Sequence, residues 1–429
     1  MRRIIVICTA MLLVGAASRA QEFIAGADVS HLKFFEDRGT VYRSGGVAQD
    51  AITILTNRGI NCARLRLFTS SAAQATADPY NYTNNLAYLT PLAVRAKSAG
   101  MKLLLDFHFS DTWADPGHQA KPAAWTNLNF VQLQAALRGH CSNSVATLVA
   151  AGARPDYVQL GNETTSGLLW TDGQVGGAFE NATQWSQLGL LLKSAIQGVQ
   201  DASGATPPKF IVHIDRGGDW ATTQWFFDHL NAQAVPYDII GQSYYPFYHG
   251  SLADLQNCLT NTVNRYGKPV LIAETDFPYT NSTNLLGFTA TTNGQVDYVV
   301  ALAQVVKGLP DGKGIGIVWW AAEYQALSGY NLSGFNQRSL FGASGSVLPA
   351  ASALGQLNAP LVITGKQTNG ALELNWPLSG AGLSLMAATN FSAPFSWQPA
   401  TNSIQRTGMT FRVTGPMEGA GRLFRLQSN

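Results

Sequence analysis

The chain has 429 residues, a formal charge of +2, 13% charged and 10% aromatic side chains, and 42 glycines. That length suits one large domain with a smaller one beside it. The near-neutral charge gives no footing for nucleic acid or an anionic membrane as partner, and a loop-rich, aromatic chain of few charges suits neutral ligands.

The first twenty residues, "MRRIIVICTAMLLVGAASRA", carry a basic start at Arg2 and Arg3, an apolar run too short to span a bilayer, and the small-residue site Ser18-x-Ala20. They read as a signal peptide over 1–20, cleaved near Ala20, with a secreted or periplasmic product. Removing Arg2, Arg3 and Arg19 takes the formal charge from +2 to −1. Cys8 leaves with this segment. Cys62, Cys141 and Cys258 remain, too far apart for a zinc motif or a disulfide framework. One pair among them stays open as a disulfide, although Cys62 lies in a strand-like run and reads as a small buried hydrophobe. No later segment is apolar enough to cross a membrane.

Between residues 23 and 320 eight short apolar runs follow: "FIAGADVS", "NCARLRLF", "MKLLLDFHF", "YVQLGNE", "KFIVHID", "DIIGQSYY", "PVLIAET" and "GIGIVWW". Segments of helical period separate them, such as "LAYLTPLAVRAK" and "WSQLGLLLKSAIQGV". Alternation of this kind predicts a parallel sheet. Eight units predict a closed (β/α)8 TIM barrel over 21–357, with an open doubly wound sheet as the alternative. No G-x-G-x-x-G follows the first run, which weakens a nucleotide-binding sheet. Asp28, Arg66, His108, Glu163, Asp215, Tyr245, Glu274 and Trp320 all lie at the C-terminal ends of these runs. In a barrel those ends meet on the face that carries active sites.

The texture changes near Asn358 to Leu361. "ALELNW", "GLSLMAAT", "MTFRV" and "GRLFRL" are short alternating strands separated by Gly, Pro, Ser and Asn. Residues 359–429 therefore read as a small C-terminal all-β module, sandwich-like and of open function.

Glu163 and Glu274 end runs four and seven, which face each other across a closed barrel. Two facing carboxylates suit glycoside hydrolysis, one protonating the leaving oxygen and the other attacking or activating water. The bland alternatives are a helix cap for Glu163 and a surface salt bridge for Glu274. Arg64 and Arg66 point the same way along strand two. If inward, they would keep one carboxylate ionised, so Glu274 is expected low and Glu163 high in pKa. Asn162 offers an amide to a sugar hydroxyl. The loop "DFHFSDTWADPGHQAKPAAW" supplies His108, Asp111, Trp113, Asp115 and Trp125 as a sugar-binding rim. The spacing His-x2-Asp-x3-Asp fits no standard metal site. His213 and Asp215 alternate on strand five. Of Tyr244 and Tyr245, and of Trp319 and Trp320, alternation lets one of each pair face the pore. Neither a phosphate-cradling Gly-Lys-Ser/Thr loop nor a G-x-S-x-G elbow is present.

On these residues the chain resembles the endo-β-1,4-galactanases of glycoside hydrolase family 53. The stretches that carry the resemblance are "GADVSHL", "CARLRLF", "LLLDFHFSDTWADPGHQAKPAAW", "VQLGNETTSGLLW", "HIDRGGDW", "GQSYYPFYHG" and "LIAETDFPY", in order through residues 26 to 279. The resemblance implies a retaining (β/α)8 hydrolase that cuts the β-1,4-galactan of pectic arabinogalactan. It implies Glu163 as acid/base and Glu274 as nucleophile, with Asn162, Arg64, His108, Tyr244 and Trp320 around the cleaved sugar. After strand eight the chain departs from the family's Tyr-Trp-Glu-Pro, reading "WWAAEY" with Ala321 and Ala322 in place of Glu-Pro. No cofactor is required on this reading, and the sequence does not support the structural calcium that some bacterial members carry in late loops. A polysaccharide is the expected partner and a monomer the expected state. The rivals are a related β-glycanase acting on mannan, xylan or β-glucan, and a carbohydrate-binding protein without catalysis.

Overall fold

A computed structural model describes residues 22–281, 283–368, 371–390, 394–416 and 422–428; the signal-like segment lies outside the described residues. Eight parallel strands close into a barrel in sequence order. They are β1 (Ile24–Asp28), β2 (Cys62–Leu67), β3 (Lys102–Phe107), β4 (Tyr157–Gln159), β5 (Lys209–Ile214), β6 (Ile239–Ser243), β7 (Val270–Thr275) and β8 (Gly314–Trp319). β1 pairs with both β2 and β8, which removes every edge. β2, β7 and β8 are buried at every position, as continuous apolar runs in an α/β barrel must be.

The helices that cover the barrel are α1 (Ala51–Asn57), α2 (Leu86–Ser98), α3 (Phe130–Ala150), α4 (Ala182–Ser203), α5 (Trp220–Ala232), α6 (Leu252–Tyr266), α7 (Thr292–Lys307) and α8 (Pro349–Gly355). Their starts are written in the sequence. Asn129 and Ser251 each close a capping box, with Gln132 and Asp254, and so satisfy otherwise orphaned N–H groups. α6 stops at Gly267, which takes the left-handed conformation that glycine alone adopts freely.

Two details of the strands place the site. β4 is only three residues long, and Gly161 and Glu163 both have positive φ, at 89° and 48°. Glu163 is thus delivered by a turn beyond the strand. In β7 the pairing skips at Ala273: Ile272 faces Gln242 of β6, but the next partner of Ser243 is already Glu274. The same skip occurs against β8. Such a bulge re-aims the following side chain, here Glu274.

The C-terminal residues form two antiparallel sheets. One orders β9 (Thr364–Thr368), β10 (Ala371–Pro377), β14 (Thr410–Pro416) and β13 (Gln405–Thr407). The other orders β12 (Gln398–Pro399), β11 (Leu383–Ala388) and β15 (Leu423–Ser428). Leu374, Trp376, Leu385, Phe411 and Val413 are buried in the same apolar cluster as the barrel's outer layer. The seam runs along α7, from its C-terminal end up to Asp297, which pairs with Arg406 of β13. Lys307 Nζ donates to the Ser379 carbonyl at 3.1 Å, and Gly382, at φ 75°, sits so close that an added Cβ would lie 2.7 Å from the Gly308 nitrogen. Cys62, Cys141 and Cys258 are buried free thiols. Among the described residues no helix is long and apolar enough to cross a membrane.

Candidate active site

Arg64 is the hub of the barrel mouth. It is wholly buried, and its Nη1 donates to Asp28 at 2.8 Å. Its Nη2 reaches Asp106 at 2.8 Å, Asn162 Oδ1 at 2.9 Å and Glu274 Oε1 at 2.7 Å. A planar guanidinium with five fixed donors is the one side chain that can serve so many acceptors at once. Arg66, two residues on, lies 3.7 Å from Asp28 Oδ1 and 2.7 Å from His31 Nδ1. Its guanidinium sits 4.3 Å from the ring centre of Trp113 and 5.5 Å from that of Trp320, so a buried cation underlies both aromatic walls.

Glu274 is 5% exposed, with Oε1 on Arg64 and Oε2 accepting from the Tyr245 hydroxyl at 2.7 Å. A surface salt bridge does not describe it. Burial raises its pKa, opposed by the Arg64 charge and the Tyr245 hydrogen bond. The expectation of a lowered pKa is therefore corrected. Arg64 also faces Asp28 and Asp106, whose negative charges push Glu274 upward.

Glu163 makes no capping hydrogen bond, so the cap reading also fails. Its left-handed backbone turns the carboxylate to the mouth, where Oε1 accepts from the Ser243 hydroxyl at 2.6 Å. Burial first, then the charges of Glu274 and Asp215, push its pKa well above the usual carboxylate range. Glu274 has a guanidinium and Glu163 has none, so a proton shared by the pair belongs on Glu163.

Both glutamates line one cavity of about 500 Å³, with His108, Trp113, Asn162 and Trp320 among its walls. Asn162 Nδ2 donates to the Ala114 carbonyl at 2.8 Å, leaving its second amide hydrogen for the cavity. His108 Nδ1 accepts from the Ala114 N–H at 2.9 Å, so its proton sits on Nε2, 2.9 Å from Asp106. Trp319 is turned into the fold, donating to the Arg338 carbonyl, and Trp320 faces the cavity.

Other candidates stand elsewhere. Arg64, Arg66 and His213 are fully buried and act from beneath, not by touching a substrate. Asp215 is beside the cavity, bonded by the Thr165 hydroxyl and paired with Arg216 at 3.1 Å. Asp111 is no sugar contact. Its oxygens accept from Thr69, Gln74 and the Ala123 N–H, bracing the loop from outside. Tyr244 is likewise corrected. It is buried, with its hydroxyl on the Gly250 carbonyl at 2.9 Å, and Tyr245 takes the place beside Glu274. With Ser243 facing the mouth, a period of two puts residue 245 there and 244 behind. The sequence left Tyr244 and Tyr245 as alternatives and the resemblance favoured Tyr244; Ser243 and Gln159 were not singled out, and that register was the available signal for Tyr245 and Ser243. Tyr245→Phe is expected to lower kcat about 10–100-fold, by removing a hydrogen bond to a buried charge. Tyr244→Phe, which loses only a bond to a loop carbonyl, is expected to stay within about threefold. Steady-state rates of the two variants side by side check this.

Among the described residues no group of three His, Cys, Asp or Glu side chains could hold a metal ion.

The family model described as Glycosyl hydrolase family 53 matches residues 24–354. The chain is 34% identical over 309 residues to arabinogalactan endo-beta-1,4-galactanase A of Aspergillus niger, covering 69% of this chain and 83% of that protein. It is 33% identical over 342 residues to the arabinogalactan endo-beta-1,4-galactanase of Humicola insolens, covering 76% and 97%. A solved family 53 catalytic domain from Ignisphaera aggregans superposes with a TM-score of 0.71 at 31% identity, over 79% of this chain and 97% of that one.

Proposed function

The chain belongs to glycosyl hydrolase family 53 and is a glycoside hydrolase, and from that premise we propose that it is a secreted, retaining endo-β-1,4-galactanase. The observation that carries the chemistry is the pair of glutamates, Glu274 buried and Glu163 half-buried, in one cavity with unequal surroundings. Glu163, held protonated, gives its proton to the departing glycosidic oxygen. Glu274, held ionised by Arg64 and Tyr245, attacks the anomeric carbon, and the C–O bond to the leaving sugar breaks. Glu163, now a carboxylate, takes a proton from water. The resulting hydroxide attacks the same carbon and releases Glu274. Two displacements restore the β configuration. Asn162 supplies a hydrogen bond to the sugar hydroxyls and Trp113 and Trp320 supply apolar faces, while His108, with both ring nitrogens already bonded, braces the wall beneath them.

Galactan as substrate rests on the names of the similar fungal proteins; export rests on the signal-like residues 1–20. The test is incubation with galactan, mannan, xylan and β-glucan, followed by product sizing and proton NMR of the first-formed anomer. Galacto-oligosaccharides born as the β-anomer are expected. Equal or faster hydrolysis of another glycan, or an α-anomer at the outset, sinks the proposal. The rate on galactan should be bell-shaped in pH. It falls at low pH as Glu274 gains a proton and at high pH as Glu163 loses one.

A further inference from the structure

We infer that Gln159, His213 and Ser243 form a one-way hydrogen-bond chain that fixes the transferable proton of Glu163 on its Oε2 oxygen. The inference rests on the reading of Glu163 as the acid/base.

The direction of each link follows from the donors available. Arg64 Nε can only donate, and it points at Gln159 Oε1 at 3.3 Å. The other end of that amide is therefore its NH2, which also donates to the Gly161 carbonyl at 3.2 Å. It points at His213 Nδ1 at 2.9 Å, and the Glu163 N–H converges on the same nitrogen at 3.4 Å. Two donors on Nδ1 leave it without a proton. Asn162 Oδ1, 3.1 Å from Nδ1, is already bonded by Arg64 Nη2 at 2.9 Å. Burial and the nearby Arg64 charge keep the ring neutral, so its one hydrogen is on Nε2. That nitrogen lies 2.9 Å from Ser243 Oγ. Ser243 thus receives a hydrogen there, and its own is free for one acceptor, Glu163 Oε1 at 2.6 Å.

Oε1 consequently always faces a donor. A proton placed on Oε1 would confront the Ser243 hydrogen and turn the whole chain against Gln159. Placed on Oε2 it conflicts with nothing. The same guanidinium that grips Glu274 through Nη2 orders the acid through Nε. The charged and titratable groups facing Glu163 are Glu274, Asp215 and Asp115, with His213 behind Ser243. Ser243 and Gln159 are positioning residues in this account, since neither lines the cavity.

The test is Ser243→Ala assayed by kcat/KM on galactan and on a dinitrophenyl β-galactobioside, whose leaving group departs without a proton. A loss of roughly 10–100-fold is expected on galactan and of less than about threefold on the activated substrate. The basic limb of the galactan profile should move to higher pH, because a carboxylate that loses a donor holds its proton more tightly. Gln159→Leu breaks the chain two links away and should move that limb the same way, so the result does not hang on one variant folding. Equal losses on both substrates, or an unmoved limb in both variants, overturn the inference if Glu163→Gln still discriminates between the substrates. If Glu163→Gln does not discriminate either, the assignment of Glu163 as the acid is what fails.

Discussion

Glu274→Gly loses on the order of 10⁴-fold or more in kcat on galactan, as removal of a nucleophile that acts with its partners as a unit does, and it folds. In azide the variant recovers turnover and yields an α-galactosyl azide. The small anion enters the space of the missing carboxylate and attacks from the same face, with only one inversion. Glu163→Gly with azide and an activated aryl substrate yields the β-azide instead, because Glu274 has already inverted the centre once. The two product configurations assign the two roles without relying on rates, and β-azide from Glu274→Gly would reverse the assignment. Losing Glu274 also removes the like charge that helps to raise Glu163. The Glu163 pKa should therefore fall in Glu274→Gln, which carboxyl-labelled NMR can follow.

Arg64→Met is expected to cost stability as heavily as activity. Arg64 and its partners Asp28, Asp106 and Glu274 are all 5% exposed or less. Breaking a buried ion pair by deleting one partner costs about 3–5 kcal/mol, because the remaining charges are stranded. Urea unfolding at neutral pH measures this. Arg66 is 3.7 Å from Asp28 Oδ1 and already engaged with His31, so it cannot take over. Asp28 and Glu274 without their cation bind protons more readily, and the variant's deficit should shrink as pH falls. Arg64→Lys should recover little, since an ammonium cannot present a fork to Asp28 on one side and Glu274 on the other. A lysine variant of parental stability would contradict the hub.

Much of the fold was legible because a parallel barrel writes itself as buried apolar runs ending in polar residues. The eight runs and the glutamates ending the fourth and seventh needed only that pattern and a closed strand order. What alternation alone could not supply was the exit from each strand. β4 ends after Gln159, and glycine and glutamate in left-handed conformations carry Glu163 onward. The skip at Ala273 aims Glu274. Tyr244 was misplaced for the related reason that register near a strand end depends on which neighbour faces inward, and Ser243 settles that only in three dimensions. Asp111 misled because an acidic residue in an aromatic loop has the same composition whether it faces a ligand or ties down its own loop. The pKa of Glu274 misled because the two arginines of strand two were weighed without the burial that outweighs them, and because the fold divides Arg64 among three carboxylates.

The seam between barrel and C-terminal sheets has a practical corollary. Gly382 and Ser379 meet the chain where α7 ends and just before β8 begins, which is the rim opposite the mouth. The sixteen residues of α7 separate the two rims by roughly 24 Å at 1.5 Å per residue. The appended sheets therefore act as a handle on the back and the α7 flank of the enzyme. A protein anchored to a bead or a cell surface through its C-terminus would present its cleft outward, open to a long chain arriving from solution.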